Sequence, residues 1–408
     1  MSGQFRRLAT FDVLLLTAAI WFLAKFLRYA FPPLFGPFQD TYGVSNTVLG
    51  LAFTAFMLVY AAMQFPSGVL ADRLGSVTVI TAGVVAAALA ALALTVDSSF
   101  AVLVLAMVLM GAGTGAHKTV AVRLLARVYP SRTGRALGAL DTFGTFGGVV
   151  APAAVVAVAG VSYAFGASWR LVFLVAGVVG LALGAAFVLR VPDRLPDDPE
   201  VDPKTAVTGG GGLGRYARLF GEWRFTVFVL VTVLFSFTYN GLVAFAPLYL
   251  TEEGGLEATT ASLLYSALFA VSLVQLVTGE VSDRIGTLPV IVCALAGASL
   301  GMVGLVSLSG SGSALALGGA LVLVGLGSHG FRPVRGSYLM SAVPTEISGG
   351  GLGIVRTMLM GAGAVAPALV GYLSETAGFR PAFGLLAVSI AGATALSALL
   401  WVFDDAGT

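Results

Sequence analysis

The chain has 408 residues, 58% of them hydrophobic and only 10% charged, with a formal net charge of +2 and a mean hydropathy of +0.96. A soluble domain covers itself with about a quarter charged residues, so this composition excludes a water-soluble globule and puts the outer surface in lipid. The small net charge gives no basis for nucleic-acid binding. The single cysteine, Cys293, excludes a disulfide framework, and with two histidines it makes no metal cluster.

A helix needs about 20 apolar residues to cross the hydrocarbon core. Runs of this kind are predicted over residues 10–35, 46–67, 77–96, 99–125, 135–160 and 169–190, then over 224–250, 258–279, 288–308, 313–340, 349–374 and 380–403. Arg6 and Arg7 precede the first run and no small-residue cleavage site follows it, which reads as a retained helix. Glycine is abundant, at 53 residues, and often recurs four apart, as at Gly144 and Gly148, a spacing that lets membrane helices approach closely. With the N-terminus placed in the cytoplasm, 14 of the 22 Lys and Arg residues fall in cytoplasmic segments or at adjoining helix ends. Only Arg170 and Arg380 fall outside, which is the positive-inside bias. The expected location is therefore the plasma membrane, with both termini cytoplasmic.

Between the sixth and seventh runs, residues 191–223 hold Pro192, Pro196, Pro199, Pro203 and the run Gly209–Gly212, the composition of a flexible linker. Residues 215–220 within it read as a short interfacial helix. The linker divides the chain into an N-terminal unit, 1–190, and a C-terminal unit, 224–408.

The two units repeat one another. Gly68-Val69-Leu70-Ala71-Asp72-Arg73-Leu74-Gly75 has its counterpart in Gly279-Glu280-Val281-Ser282-Asp283-Arg284-Ile285-Gly286. Gly111, Gly113, Lys118 and Pro130 match Gly325, Gly327, Arg332 and Pro344 at a constant offset of 214, and Trp169-Arg170 matches Phe379-Arg380. A repeat at half length in membrane-type sequence points to a two-bundle transporter.

On these residues the chain resembles the major facilitator superfamily of secondary transporters. The motif Gly68, Asp72, Arg73, Gly75, its weaker copy Gly279, Asp283, Arg284, Gly286, and the segment Tyr129–Ala136 carry the resemblance, which extends over nearly the whole length. It implies an all-α membrane protein with twelve transmembrane helices in two pseudo-symmetric six-helix bundles, working by alternating access as a monomer without a cofactor. It also implies that Asp72 latches the bundles when the cavity opens outward, and that helices 1, 4, 7 and 10 line the cavity. The residues themselves suggest how: Gly68 permits a close helix ending, and Asp72 can accept bonds from unpaired N–H groups at a helix start.

Charges within spans are the strongest functional pointers, because each costs roughly 2.5–3.5 kcal/mol on insertion scales unless water or a partner meets it. The six cations are Lys25, Arg28, Lys118, Arg332, Arg335 and Arg356. Lys25 and Arg28 are three apart, hence on one helical face, and Arg332 and Arg335 repeat the spacing. Lys118 and Arg332 are repeat mates and are expected to reach similar depth from opposite halves. Together these groups suit an oxyanion held between the bundles. Tyr239 and Asn240 on the seventh helix are expected to add hydrogen bonds. Organophosphate-type relatives carry a basic residue on that helix, and its lack here argues against their substrate.

Asp141 and His117 are the candidate proton carriers. The alternative for Asp141 is a structural pair with Lys118 or Arg123. Gly111–Thr119 resembles a phosphate-binding loop but has His117 where the glycine before the lysine is required, so nucleotide binding is not expected. Nor does any nucleophile–base or metal constellation suggest an enzyme. The expected function is a secondary active transporter of a small organic or inorganic anion, coupled to protons. The alternatives are a drug or neutral-solute efflux carrier, and a membrane substrate sensor that does not cycle.

Overall fold

The computed structural model describes residues 11–195, 218–311, 313–342 and 348–405. It is all-helical across these residues, with eleven helices long and apolar enough to span a membrane and a twelfth span made of a bent pair. In chain order the spans are α1 (Asp12–Tyr42), α2 (Asn46–Ala62 with Gln64–Leu74), α3 (Ser76–Ala93), α4 (Phe100–Val128), α5 (Thr133–Val158) and α6 (Arg170–Arg190). The second half holds α7 (Trp223–Glu252), α8 (Ala258–Ile285), α9 (Thr287–Leu308), α10 (Ala314–Ala342), α11 (Ser348–Thr376) and α12 (Phe379–Asp405). The two segments of α2 meet at about 40°. Proline lies inside α5, α7, α10 and α11, at Pro152, Pro247, Pro333 and Pro367. Each removes one helical N–H and so marks a place where the helix can bend.

The motif residues sit differently from the expectation. Gly68 does not end a helix: it lies inside the second segment of α2, and that segment stops at Gly75, whose φ is +84°. Gly286 does the same for α8 at φ +92°. These are left-handed values that a side chain rarely tolerates, so the last motif glycine makes the turn. Asp72, Arg73, Asp283 and Arg284 therefore ride on final helical turns. Of the linker, Pro192–Arg194 and Arg218–Gly221 form 3-10 turns. Of the remainder, Gly209–Gly212 and the first half of the expected interfacial helix, 215–217, lie outside the described residues, as do Arg6, Arg7 and Pro344.

The sequence repeat is also a repeat of contacts. In the first half, a Cβ on Gly111 would strike the Phe56 carbonyl of α2, and one on Gly113 the Gly83 carbonyl of α3. In the second, Gly325 is pressed on the Leu268 carbonyl of α8 and Gly327 on the Ala294 carbonyl of α9. Arg170 donates to the Val96 carbonyl at 2.5 Å, and Arg380 donates to the Val306 carbonyl at 3.3 Å, both shifted by 210 positions.

The halves meet along α2 and α11, α1 and α7, and α5 and α8. The contacts cluster toward the end of the molecule that holds Thr47. Phe35 meets Phe245 with ring centroids 5.2 Å apart, Tyr29 meets Phe269 at 4.3 Å, and Ser266 donates to the Val149 carbonyl at 2.9 Å. At the opposite end, which carries Asp72 and Asp283, the bundles leave a cavity.

Candidate functional site

The cavity has a volume of about 540 Å³ and lies between the bundles. Its walls include Lys25 and Arg28 of α1, Tyr239 and Asn240 of α7, and Arg332 and Arg335 of α10. Leu339, Met340, Val355 and Arg356, near the ends of α10 and α11, line its mouth, so it opens at the Asp72 end.

Lys25 and Arg28 face the cavity because three residues nearly complete a helical turn. Arg28 is buried, and its Nη2 donates to the Asn240 Oδ1 at 2.6 Å, joining α1 to α7 across the bundle boundary. Asn240 is held in place by its own amide, whose Nδ2 donates to the Ser236 carbonyl at 2.8 Å. Arg28 also lies 5.5 Å from the Tyr29 ring centre and 5.9 Å from that of Tyr60. Lys25 stands 4.8 Å from the Trp21 ring centre. Arg332 lies 4.3 Å over Tyr239, and Arg335 lies 5.8 Å from the Phe331 ring. At the mouth, Arg356 donates to the Gln64 Oε1 of α2 at 2.8 Å.

Five cations thus line the cavity, and among the described residues no carboxylate lines it, Asp141 standing beside it in the ion pair with Lys118. Lys25, Arg332 and Arg335 have no ion-pair partner among the described residues. The partners that Arg28 and Arg356 do have, Asn240 and Gln64, are neutral amides. An amide satisfies a donor but cancels no charge. Two like charges about 7 Å apart repel by about 2 kcal/mol at an effective dielectric of about 20. The empty arrangement is therefore electrostatically unfavourable, and an entering anion relieves it.

Three of the expected substrate and proton residues, Lys118, Asp141 and His117, do not line the cavity. Lys118 does not face Arg332 across the cavity: it is ion-paired with Asp141 of α5, the structural pair named above as the alternative. The Lys118 ammonium also lies 5.1 Å from the centre of the Trp21 ring. His117 is buried at 2% exposure, with Nε2 3.1 Å from the Thr17 carbonyl and its ring stacked on Trp21. It is not among the residues that line the cavity. Asp72 accepts from Arg123 of its own half, and Arg284 from the second motif pairs with Glu280 one turn before it.

Sequence reasoning missed the aromatic lining. Tyr29 follows Lys25 by four residues on α1 and so shares its face, a pattern that was open to reading. Tyr60 and Gln64 of α2 carry no such signal, because their exposure to the cavity depends on how α2 packs against α11.

The fold and the cavity define a multi-pass membrane transporter. A sequence profile described as Major Facilitator Superfamily matches residues 17–328 and 228–408. The chain belongs to that superfamily of secondary transporters. It is 26% identical over 381 residues to a Staphylococcus haemolyticus protein named for proline/betaine transport, covering 87% of this chain and 80% of that one. A Cupriavidus necator protein named for sulfoacetate transport is 27% identical, covering 88% and 86%. The hexuronate transporter of Bacillus subtilis is 25% identical, covering 89% and 88%. Among solved structures, a bacterial homolog of the human lysosomal transporter Spinster, in an inward-facing and occupied conformation, superposes with a TM-score of 0.79. It shares 18% identity and covers 98% of this chain and 97% of its own.

Proposed function

We propose that the protein carries a small organic anion through the membrane by alternating access, with the cavity of Lys25, Arg28, Arg332 and Arg335 as the binding site. The observation that carries this reading is the unneutralised charge of the cavity lining. Guanidinium groups from opposite halves can each offer two parallel donors to a carboxylate or sulfonate. Tyr239 and Asn240 orient Arg332 and Arg28 toward the same space.

The cytoplasmic side is the Asp72 end, on the bias of Lys and Arg described above. The conformation is then open inward, and Asp72, bonded within its own half, is released from any contact between bundles. The candidate proton carrier is Asp141, whose carboxylate is ion-paired with Lys118 beside the site. Neutralising Asp141 would free the Lys118 ammonium to add a further positive charge near Lys25, so proton and anion would bind together.

Two of the relatives are named for anions, sulfoacetate and hexuronate, and these support an acidic guest; proline and betaine are zwitterions that share with it only the carboxylate. A cationic drug or a quaternary ammonium group favours open aromatic faces. Here the rings of Trp21, Tyr29, Tyr60 and Tyr239 are already faced by the protein's own Lys and Arg groups. Those contacts argue against a cation-binding cavity.

The test is uptake into proteoliposomes of radiolabelled organic anions, with and without an inward proton gradient. Anion uptake by the wild type and its loss in Arg332→Gln and Arg28→Gln are expected, as is loss of pH dependence in Asp141→Asn. Uptake confined to neutral sugars or hydrophobic cations would reject the assignment.

A further inference from the structure

The basic groups of the cavity are arranged in two levels. Arg28 bonds Asn240, and Arg332 covers Tyr239, its neighbour on α7, so these two guanidinium groups lie at one depth. Helix α1 runs away from the Asp72 end, whereas α10 runs toward it, since its last residues line the mouth. Lys25 is three residues before Arg28 on the first helix, and Arg335 is three residues after Arg332 on the second. Both steps lead toward the mouth by about 4.5 Å, at 1.5 Å per residue. Lys25 and Arg335 therefore make a second, shallower level, with Arg356 beyond it.

We infer that the substrate carries two acidic groups, one held by Arg28 and Arg332 and the other by Lys25 and Arg335. This rests on the anion reading above and narrows it to a short dianion, a dicarboxylate or a sulfonate–carboxylate. A monoanion seated on the deep level neutralises one positive charge and leaves the shallow level facing itself. A dianion whose acidic groups are about 4.5 Å apart, matching the helical rise, sets one negative charge on each level. The neutral amides at Arg28 and Arg356 fit this division of labour. They hold the guanidinium groups in place while leaving their charge for the guest.

The experiment compares probes that differ only in the second acidic group: succinate against butyrate, and 3-sulfopropionate against propionate. Binding to the purified full-length protein is measured by calorimetry and by thermal stabilisation. The dianion is expected to bind about tenfold or more tightly than its monoanion, the increment of one additional charge-assisted contact. Lys25→Gln and Arg335→Gln are expected to bring that ratio toward one. Lys25→Arg and Arg335→Lys keep the charge and are expected to keep the preference, which separates loss of charge from misfolding.

Equal affinity for the two members of each pair in the wild type overturns the dianion inference. If Arg332→Gln still abolishes both, the anion cavity itself stands. If no anion binds or stabilises the wild-type protein, both readings fall together.

Discussion

Glu375, near the end of α11, accepts two hydrogen bonds from Thr47 on the first turn of α2, one from its backbone N–H at 3.2 Å and one from its hydroxyl. A carboxylate over a helix start meets unpaired N–H groups and the positive end of the helix dipole. This contact fastens the C-terminal half to the N-terminal half at the closed end. At the open end, the corresponding acid, Asp72, is turned onto Arg123 of its own half. With the latch role expected of Asp72, each end would hold a carboxylate that fastens the two halves in one state and releases them in the other.

Removing the charge at position 375 should therefore loosen the closed end. Spin labels placed on the Thr47 ends of α2 and α11 should show a broader and longer distance distribution in Glu375→Gln than in the wild type. The opposite end should narrow in step. Unchanged distributions at both ends would assign Glu375 no fastening role. Asp72→Asn should reduce transport at normal expression, because the same kind of contact is then lost from the other half of the cycle.

The charge of the cavity can be cancelled without a truncation. Asn240→Asp would set a carboxylate beside the Arg28 guanidinium, where the amide oxygen now lies at 2.6 Å. The side chain keeps its size, so folding and thermal stability should hold. Anion uptake should fall by about tenfold or more, the effect of losing one charge-assisted contact. Wild-type uptake in this variant would show that Arg28 does not face the substrate.

Arg170 is fully buried and donates to the Leu94 carbonyl at 3.0 Å, the Val96 carbonyl at 2.5 Å and Asp97 at 2.7 Å. Arg170→Ala should lower stability by about 1–3 kcal/mol, the range for buried polar groups that lose a hydrogen-bond partner, since the acid left behind, Asp97, is exposed. Its repeat mate Arg380 is exposed and holds the Val306 carbonyl alone at 3.3 Å. Arg380→Ala should cost about 1 kcal/mol or less. Thermal unfolding of the two variants in detergent measures the asymmetry, and equal losses would contradict it.

Gly113→Val and Gly327→Val should each destabilise by about 1–3 kcal/mol or more, because the added atoms meet backbone carbonyls that have little room to move. Gly134→Ala, with nothing within 4 Å of the added Cβ, should be neutral. Yield of monodisperse protein after detergent extraction reports the difference.

The fold was legible because its causes are local. Length and apolarity mark each span, and the duplication of Gly68–Gly75 in Gly279–Gly286 marks the halves. The site was only half legible. The three-residue spacing of Lys25 with Arg28, and of Arg332 with Arg335, states which side chains share a face, and those faces do line the cavity. The repeat offset that pairs Lys118 with Arg332 states equal register in each half but not equal partners. Asp141 has no counterpart cation-binding acid at the matching place in α11, where Val355 stands beside Arg356, and that difference alone diverts Lys118 from the cavity. The contact between Glu375 and Thr47 joins residues 328 positions apart and has no sequence signature.

The glycine contacts inside each half have a mechanical corollary. Where the backbone of α4 lies directly on α3, at Gly113 and Gly83, and that of α10 lies on α9, at Gly327 and Ala294, no flexible side chain is available to absorb sliding. Each half should therefore travel as a stiff block, with the yielding confined to the seam between them. Labels set within one block should keep their separation while cargo crosses the bilayer.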